Sequence, residues 1–479
     1  MIARRLLALG LIVVTAGCAA GAKPHSTADR APNGKPTDII SIPRDPFPST
    51  YKPLPSRTTL IRGATVYDGR GGKIVGGQVL LVAGKVAAIG QSVTAPADAT
   101  IIEAAGKFVT PGVIDIHSHL GDYPTPAVEA NSDGNEVTGP VRPEVWSLHA
   151  VWPQDPGFTR ALTNGGVTTL HILPGSANLF GGRGVTLKNV AGETAQSMRF
   201  PGAPYSLKMA CGENPKRVYG SKGQMPGSRM GNVALMRETW QRAVEYKRRW
   251  DDYTARAKAG NAKPTDAPVR DLGSDTLMGV LNGEILVQNH CYRADEMANI
   301  IDMSHEFGYH VSVFHHAVEA YKIADLLKRE NICAAMWADW YGFKMESFDA
   351  IRENIPFVHA AGACAIVHSD DAGGIQRLYQ DAAKAMANGN AVGLNIAPET
   401  AWTWLTYNPA KALGIAERTG SLEPGKMADV VLWNGDPFSI YTRPERVWID
   451  GALVFDVNDP RLRPVSDFEL GQPGEGDVK

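Results

Sequence analysis

Residues 112–120, GVIDIHSHL, alternate apolar and polar positions until Asp115, His117 and His119 occupy every second place. Residues two apart in a strand project to the same side. One carboxylate and two imidazoles therefore share one face of an otherwise apolar strand. Comparable apolar runs recur downstream: GVTTLHILPG, YSLKMACG, EILVQNH, HVSVFHH, ICAAMWAD and CAIVHSDD read as buried parallel strands. RADEMANIIDMSHEFG, AVEAYKIADLLKREN, QRLYQDAAKAMANG and APETAWTWLTYNPAKALG instead carry apolar residues at helical spacing.

Strand–helix repetition predicts a parallel sheet, and about eight units predict an α/β fold of the TIM-like (β/α)8 barrel type over residues 111–420. Residues 238–272 interrupt the alternation with a charged helix and a polar loop, and read as an insertion. Short alternating runs divided by Gly, Asp and Pro occupy residues 58–110, and again 421–456. The two pieces are expected to join into one small β-sandwich into which the barrel is inserted. Residues 19–57 read as an extended tether and 457–479 as a loose tail.

The chain has 479 residues, 44% hydrophobic and 20% charged, with a net charge of −2, an ordinary globular balance. Nothing is basic enough to indicate nucleic acid. At the N-terminus, Arg4 and Arg5 precede an apolar run and then Thr15-Ala16-Gly17-Cys18. Residues 1–18 read as a secretory signal too short to span a bilayer. Cys18 after Ala-Gly resembles a bacterial lipobox, in which the cysteine is lipidated, and Ala19 then favours the periplasmic face of an outer membrane. Plain periplasmic or secreted export is the alternative. The lipid anchor would be the only membrane contact. Cys211, Cys291, Cys333 and Cys364 form no CxxC pair and read as buried free thiols.

His117, His119, Lys208, His290, His316 and Asp370 interrupt the strands at their C-terminal ends, where barrel enzymes carry their chemistry. At roughly 30 residues per βα unit, they fall on strands 1, 4, 5, 6 and 8. Neutral imidazoles and carboxylates suit divalent zinc, with bonds of about 2.0–2.2 Å. An ammonium inside a barrel costs several kcal/mol unless compensated. Reaction of Lys208 with CO2 would make it an anionic carbamate able to bridge two metals, with Glu213 as the fallback bridge. Packing histidines, or a Lys208 buried in a salt bridge, are the competing readings. Asp115 reads as orienting a histidine or as packing.

This ordered set resembles the amidohydrolase superfamily, closest to its imidazolonepropionase-like and metal-dependent carboxypeptidase (prolidase-like) branch, over about residues 58–456. The family pattern is HxH on strand 1, a carboxylated Lys or a Glu on strand 4, His on strands 5 and 6, and Asp on strand 8. His315 and His316 face opposite ways in a strand, so only one is expected to point inward. HAVEAYKIAD matches the family motif at His316, HSD selects Asp370 over Asp371, and His368 becomes its neighbour. The resemblance implies two zinc ions per chain, or one if Lys208 is not carboxylated. It also implies a metal-activated water, with Asp370 passing its proton to the leaving nitrogen.

An amide, peptide or cyclic amide bond of a small-molecule substrate is the implied target. Export favours dipeptides or N-acyl amino acids. His171, Arg217, Tyr219 and Tyr292 are candidates for holding the substrate, with Arg183 beside them. A lactonase or phosphotriesterase-like esterase on the same metals is an alternative. A catalytically silent surface-anchored binding protein is another, and predicts a missing ligand that is not observed. A deaminase would carry an HxxE-like pattern after His290, which is absent. Homo-oligomerisation is left open.

Overall fold

The computed structural model describes residues 39–462. The leader with Cys18, residues 19–38 of the expected tether and residues 463–479 of the tail lie outside the described residues. From the N-terminal side come strands β1 (Thr59–Tyr67), β2 (Lys73–Val82), β3 (Lys85–Gly90), β4 (Thr100–Glu103) and β5 (Phe108–Pro111). The barrel follows: β6 (Val113–Ser118), β7 (Val167–Ile172), β8 (Phe180–Lys188), β9 (Ser206–Ala210), β10 (Leu286–His290), β11 (Val311–His315), β12 (Cys333–Met336) and β13 (Cys364–Val367). Then β14 (Val430–Trp433), β15 (Pro444–Ile449) and β16 (Ala452–Asp456) return to the first sheet.

The terminal strands form one eight-stranded sheet in the order β16-β15-β14-β5-β1-β2-β3, with β4 also paired to β1. The N-terminal and C-terminal strands meet where β14 runs antiparallel to β5, Val431 opposite Thr110. Val79, Leu81 and Val86 from one end of this sheet share a core with Val430, Leu432 and Trp448 from the other. The sandwich is therefore a single sheet folded over one apolar core.

The barrel sheet runs β6 to β13 in sequence order. One strand departs from the parallel alternation: β8 is antiparallel to both β7 and β9, with Thr169 opposite Lys188 and Gly182 opposite Lys208. Residues 173–179 between β7 and β8 are too few for the crossover of a dozen or more residues that a parallel pair needs. The chain turns at Pro174-Gly175 and comes straight back. FGGRGVTLK is thus a strand despite its three glycines.

The insertion is built on the helix Arg229–Lys258. Trp240, Ala243, Tyr246, Trp250 and Tyr253 recur at three- and four-residue spacing on its buried face. Residues 39–57 run without helix or strand but are pinned to the body. The Arg199 guanidinium donates to Asp45 at 2.8 Å, and the Tyr51 hydroxyl donates to Asp450 at 2.6 Å.

The four core cysteines are not free thiols. Cys211 is bonded to Cys291 and Cys333 to Cys364, with Cα separations of 5.2 and 4.4 Å. Parallel pairing brings them together across neighbouring strands, which spacing along the chain does not reveal. Cys333 faces Cys364 in register at the N-terminal ends of β12 and β13. Cys211 and Cys291 join β9 to β10 at the opposite, C-terminal end.

Candidate metal centre

Every residue of β6 is buried, and the alternation sorts them. Ile114 and Ile116 join the outer apolar layer with Val313 and Ile366, while Asp115 and His117 enter the barrel. His119 follows just past the strand end, and its Nδ1 lies 2.9 Å from the carbonyl of Leu173. A carbonyl only accepts, so Nδ1 carries the proton and Nε2 presents a lone pair.

A second chain of contacts sets His117. His315 Nε2 donates to Gln288 Oε1 at 2.6 Å, which leaves His315 Nδ1 to accept from His117 Nδ1 at 2.8 Å. His117 Nε2 is thereby left with its lone pair. Burial holds the His117 pKa well below its ordinary value, so the ring is neutral.

These two lone pairs converge on Asp370. Its Oδ1 lies 3.2 Å from His117 Nε2 and 3.2 Å from His119 Nε2, and the two nitrogens are 3.3 Å apart. The three residues form a group able to hold one cation. Three electron-rich atoms at such separations repel unless a cation sits between them. The donor set, two neutral imidazoles and a carboxylate, fits zinc.

Asp370 and His316 both have left-handed backbones, φ +81° and +56°. This overturns the expectation that only one of His315 and His316 points inward. The reversal at His316 breaks the strand alternation, and both rings enter the barrel: that of His315 is 4.7 Å from His117 and that of His316 is 4.4 Å from it. Both histidines are buried.

A second group adjoins the first. Lys208, His290 and His316 are buried, and Lys208 Nζ, His290 Nδ1 and His316 Nδ1 have no hydrogen-bond partner. His290 and His316 rings are 4.9 Å apart, and His316 Nε2 lies 4.0 Å from Asp370 Oδ2. Burial pushes the Lys208 pKa down to about 7, against the pull of Asp370. No carboxylate pairs with Lys208 among the described residues, so it is not a salt-bridge lysine. Orphaned buried polar atoms of this kind are costly unless something completes them.

Asp115 does not touch a histidine ring. It accepts from the backbone N–H of His117 and of Ser369, both at 3.2 Å, and from Ser369 Oγ at 2.5 Å. It ties the first strand to the loop that carries Asp370. Burial raises its pKa to about 7. His368 accepts from the His316 N–H at 3.3 Å and stacks beside His117, with ring centres 5.3 Å apart. Glu213 heads the helix Glu213–Gly220, and its N–H donates to Glu346 at 2.8 Å; it is absent from the cation-holding group.

The candidates for substrate contact divide. Tyr292 lines the centre, its ring 4.6 Å from His290. His171 does not serve, because both ring nitrogens are engaged, Nδ1 with Thr186 at 3.1 Å and Nε2 with Ser206 at 2.7 Å. Tyr219 is buried and donates its hydroxyl to the Gly139 carbonyl at 2.8 Å, which removes it as well. Arg217 is exposed on its helix. Arg183 is buried against Trp146 and donates to Thr276 at 2.8 Å. Sequence reasoning missed Gln288, Asn214, Trp337 and Lys344. Trp337 stacks on His316 at 4.4 Å, and Lys344 reaches Tyr292 from the loop after β12. Only the HH doublet carried a readable signal for His315.

A family model described as "Amidohydrolase family" matches residues 108–455. The solved structure of an amidohydrolase from Thermotoga maritima is 36% identical, with a TM-score of 0.75, covering 83% of this chain and all of that one. An amidohydrolase of Hapsidospora irregularis, tasK, is 32% identical over 446 residues, 88% of this chain. This chain spans 43% of that relative's length. A solved Xaa-Pro dipeptidase with bound methionine is 13% identical at a TM-score of 0.50, covering 83% and 99% of the two chains, and shares the fold.

Proposed function

The chain belongs to the amidohydrolase family, and from that premise we propose that it hydrolyses the amide or peptide bond of a dipeptide or N-acyl amino acid with divalent metal. One observation carries the proposal: the lone pairs of His117 and His119 and a carboxylate oxygen of Asp370 face one another at 3.2–3.3 Å.

His117, His119 and Asp370 would hold one zinc, and His290 and His316 a second. Lys208 would bridge them as a carbamate: its neutral amine adds to CO2 and releases one proton. The lowered Lys208 pKa supports a substantial neutral fraction at neutral pH. Bound there, the ions would polarise a carbonyl and acidify a water. Asp370, a quarter exposed toward the mouth, accepts the proton of the attacking water on a carboxylate oxygen and returns it to the leaving nitrogen. Its left-handed backbone and the N–H bond to the His117 carbonyl, 3.0 Å, fix that carboxylate. The Trp337 ring stacks on His316 and the Tyr292 ring packs edge-on to His290, so aromatic faces flank the second group of ligands.

Export, with Cys18 lipidated or released, is part of the proposal. The Cys211–Cys291 and Cys333–Cys364 bonds support an oxidising compartment.

The test is a panel of dipeptides and N-acetyl amino acids given to zinc-loaded wild type and to His117→Ala. Hydrolysis by wild type and a loss of about 10³-fold or more in His117→Ala are expected. Equal turnover by the two proteins would remove the metal centre from the chemistry.

A further inference from the structure

The loop after β12 carries a lysine whose surroundings are built for an anion. Lys344 Nζ donates to Asn214 Oδ1 at 2.9 Å and to the Tyr292 hydroxyl at 3.2 Å. Asn214 and Tyr292 are both buried, and both adjoin His290: Asn214 Nδ2 is 3.4 Å from His290 Nε2, and the Tyr292 ring packs edge-on to it at 4.6 Å. The ammonium thus stands one residue removed from the second group of ligands.

The lysine is held in place. Lys344 opens a short 3-10 turn, Met345–Ser347, where its N–H donates to Ser347 Oγ at 3.2 Å. Glu346 in that turn is buried and contacts the Arg229 guanidinium. It also accepts the Glu213 N–H at 2.8 Å, locking the loop to the insertion helix and to the end of β9. The ammonium lies 5.2 Å above the Tyr292 ring and 5.4 Å above that of Phe343.

Both hydrogen-bond partners of the ammonium are neutral. An ammonium has three donors, and two are used. Glu213, Asp370 and Glu346 are in electrostatic reach, yet no carboxylate oxygen lies within 4.0 Å of Lys344 among the described residues. Glu346 is committed to Arg229 and the Glu213 N–H. A half-buried cation with one free donor, over an aromatic floor and beside the metal ligands, is short of an anion.

The geometry points to Lys344 as the residue that reads a free carboxylate on the substrate, with the Tyr292 hydroxyl as its second donor. This rests on the hydrolase reading above and narrows it. The enzyme acts on dipeptides or N-acyl amino acids whose terminal carboxylate is ionised, and discriminates against the same compounds as amides. Lys344 touches the non-reacting end of the substrate, so its contribution falls mainly on KM.

The test compares Xaa–Leu dipeptides and N-acetyl-leucine with their carboxamides on the zinc-loaded full chain. Wild type is expected to prefer the acids by about 10- to 100-fold in kcat/KM, the range of a hydrogen bond to a charged group. Lys344→Met is expected to bring the ratio near one through KM, with zinc content unchanged, and Lys344→Arg to restore most of it. Calorimetric titration with free leucine, a product, is expected to show weaker binding to Lys344→Met. Wild type hydrolysing acids and amides alike would overturn the assignment without any variant. So would a Lys344→Met protein with the wild-type ratio. A wild type inactive on every acid and amide would instead bring down the hydrolase reading itself.

Discussion

At the scale of single residues, the centre depends on proton positions. His315 is not positioned to hold the same cation as His117, yet through it Gln288 fixes which nitrogen of His117 bears the proton. Orienting partners of this kind are worth about 10- to 100-fold in metal affinity. His315→Ala is therefore expected to weaken zinc binding by that factor in a chelator competition; unchanged affinity would mean that the relay does not matter. Asp370→Asn keeps size and backbone but loses the proton acceptor. It should cost about 10²- to 10⁴-fold in kcat with little change in thermal stability. Acid sensitivity follows from the same histidines. Burial holds His171 and His368 at about 3, and His117, His290, His315 and His316 well below normal. Below about pH 6.5 the unfolded chain binds protons that the native state refuses. Each group then removes up to about 1.4 kcal/mol per pH unit. Asp115 and Glu296, raised to about 7, and buried Asp122, raised well above its ordinary value, oppose this, because they stay protonated in the native state above their unfolded values. Six histidines outweigh these three carboxyls. Thermal unfolding of metal-free protein should show a falling midpoint from pH 6.5 to 5, and a flat profile would contradict the neutral cluster.

At the scale of elements, two disulfides sit at opposite ends of the barrel. Cys211 donates its N–H to the His290 carbonyl at 2.9 Å, and its bond to Cys291 clamps the ends of the strands bearing Lys208 and His290. Cys333–Cys364 joins strand starts, away from the ligands. Removing the latter pair by Cys→Ala should cost about 2–4 kcal/mol of stability while zinc content persists. Removing the former should also lower zinc retention. Equal effects on zinc would contradict this placement. These elements also mark what the chain discloses of itself. Period-two and period-3.6 patterns exposed the barrel strands and helices, because burial on both faces leaves long apolar runs. The reversed β8 stayed hidden, since three glycines and a short turn look like a loop. The ligand strands were legible because a polar residue at the end of an apolar strand is costly unless used. The inward turn of both His315 and His316 was not, because a left-handed φ at a histidine leaves no mark in a hydrophobicity pattern. Lys344 lay in a loop whose path is set by Glu346 reaching across to Arg229, a long-range contact outside any local signal.

At the scale of the molecule, the folded-over sheet joins the strands before and after the barrel at the barrel's base. The Val113 N–H at the start of β6 donates to the Gly166 carbonyl, and the Gly112 N–H to the Asp429 carbonyl. The mouth is left to the loops that carry Asp370, His316 and Lys344. One centre of two ions, with Lys208 between them, is what we propose this mouth holds. The most direct test is metal content by mass spectrometry after zinc loading in bicarbonate, for wild type and Lys208→Ala side by side. Two zinc ions per chain in wild type, falling to one or none in Lys208→Ala with the fold retained, is the predicted result. A wild type that holds no stoichiometric zinc, or a variant that keeps both ions, would contradict it.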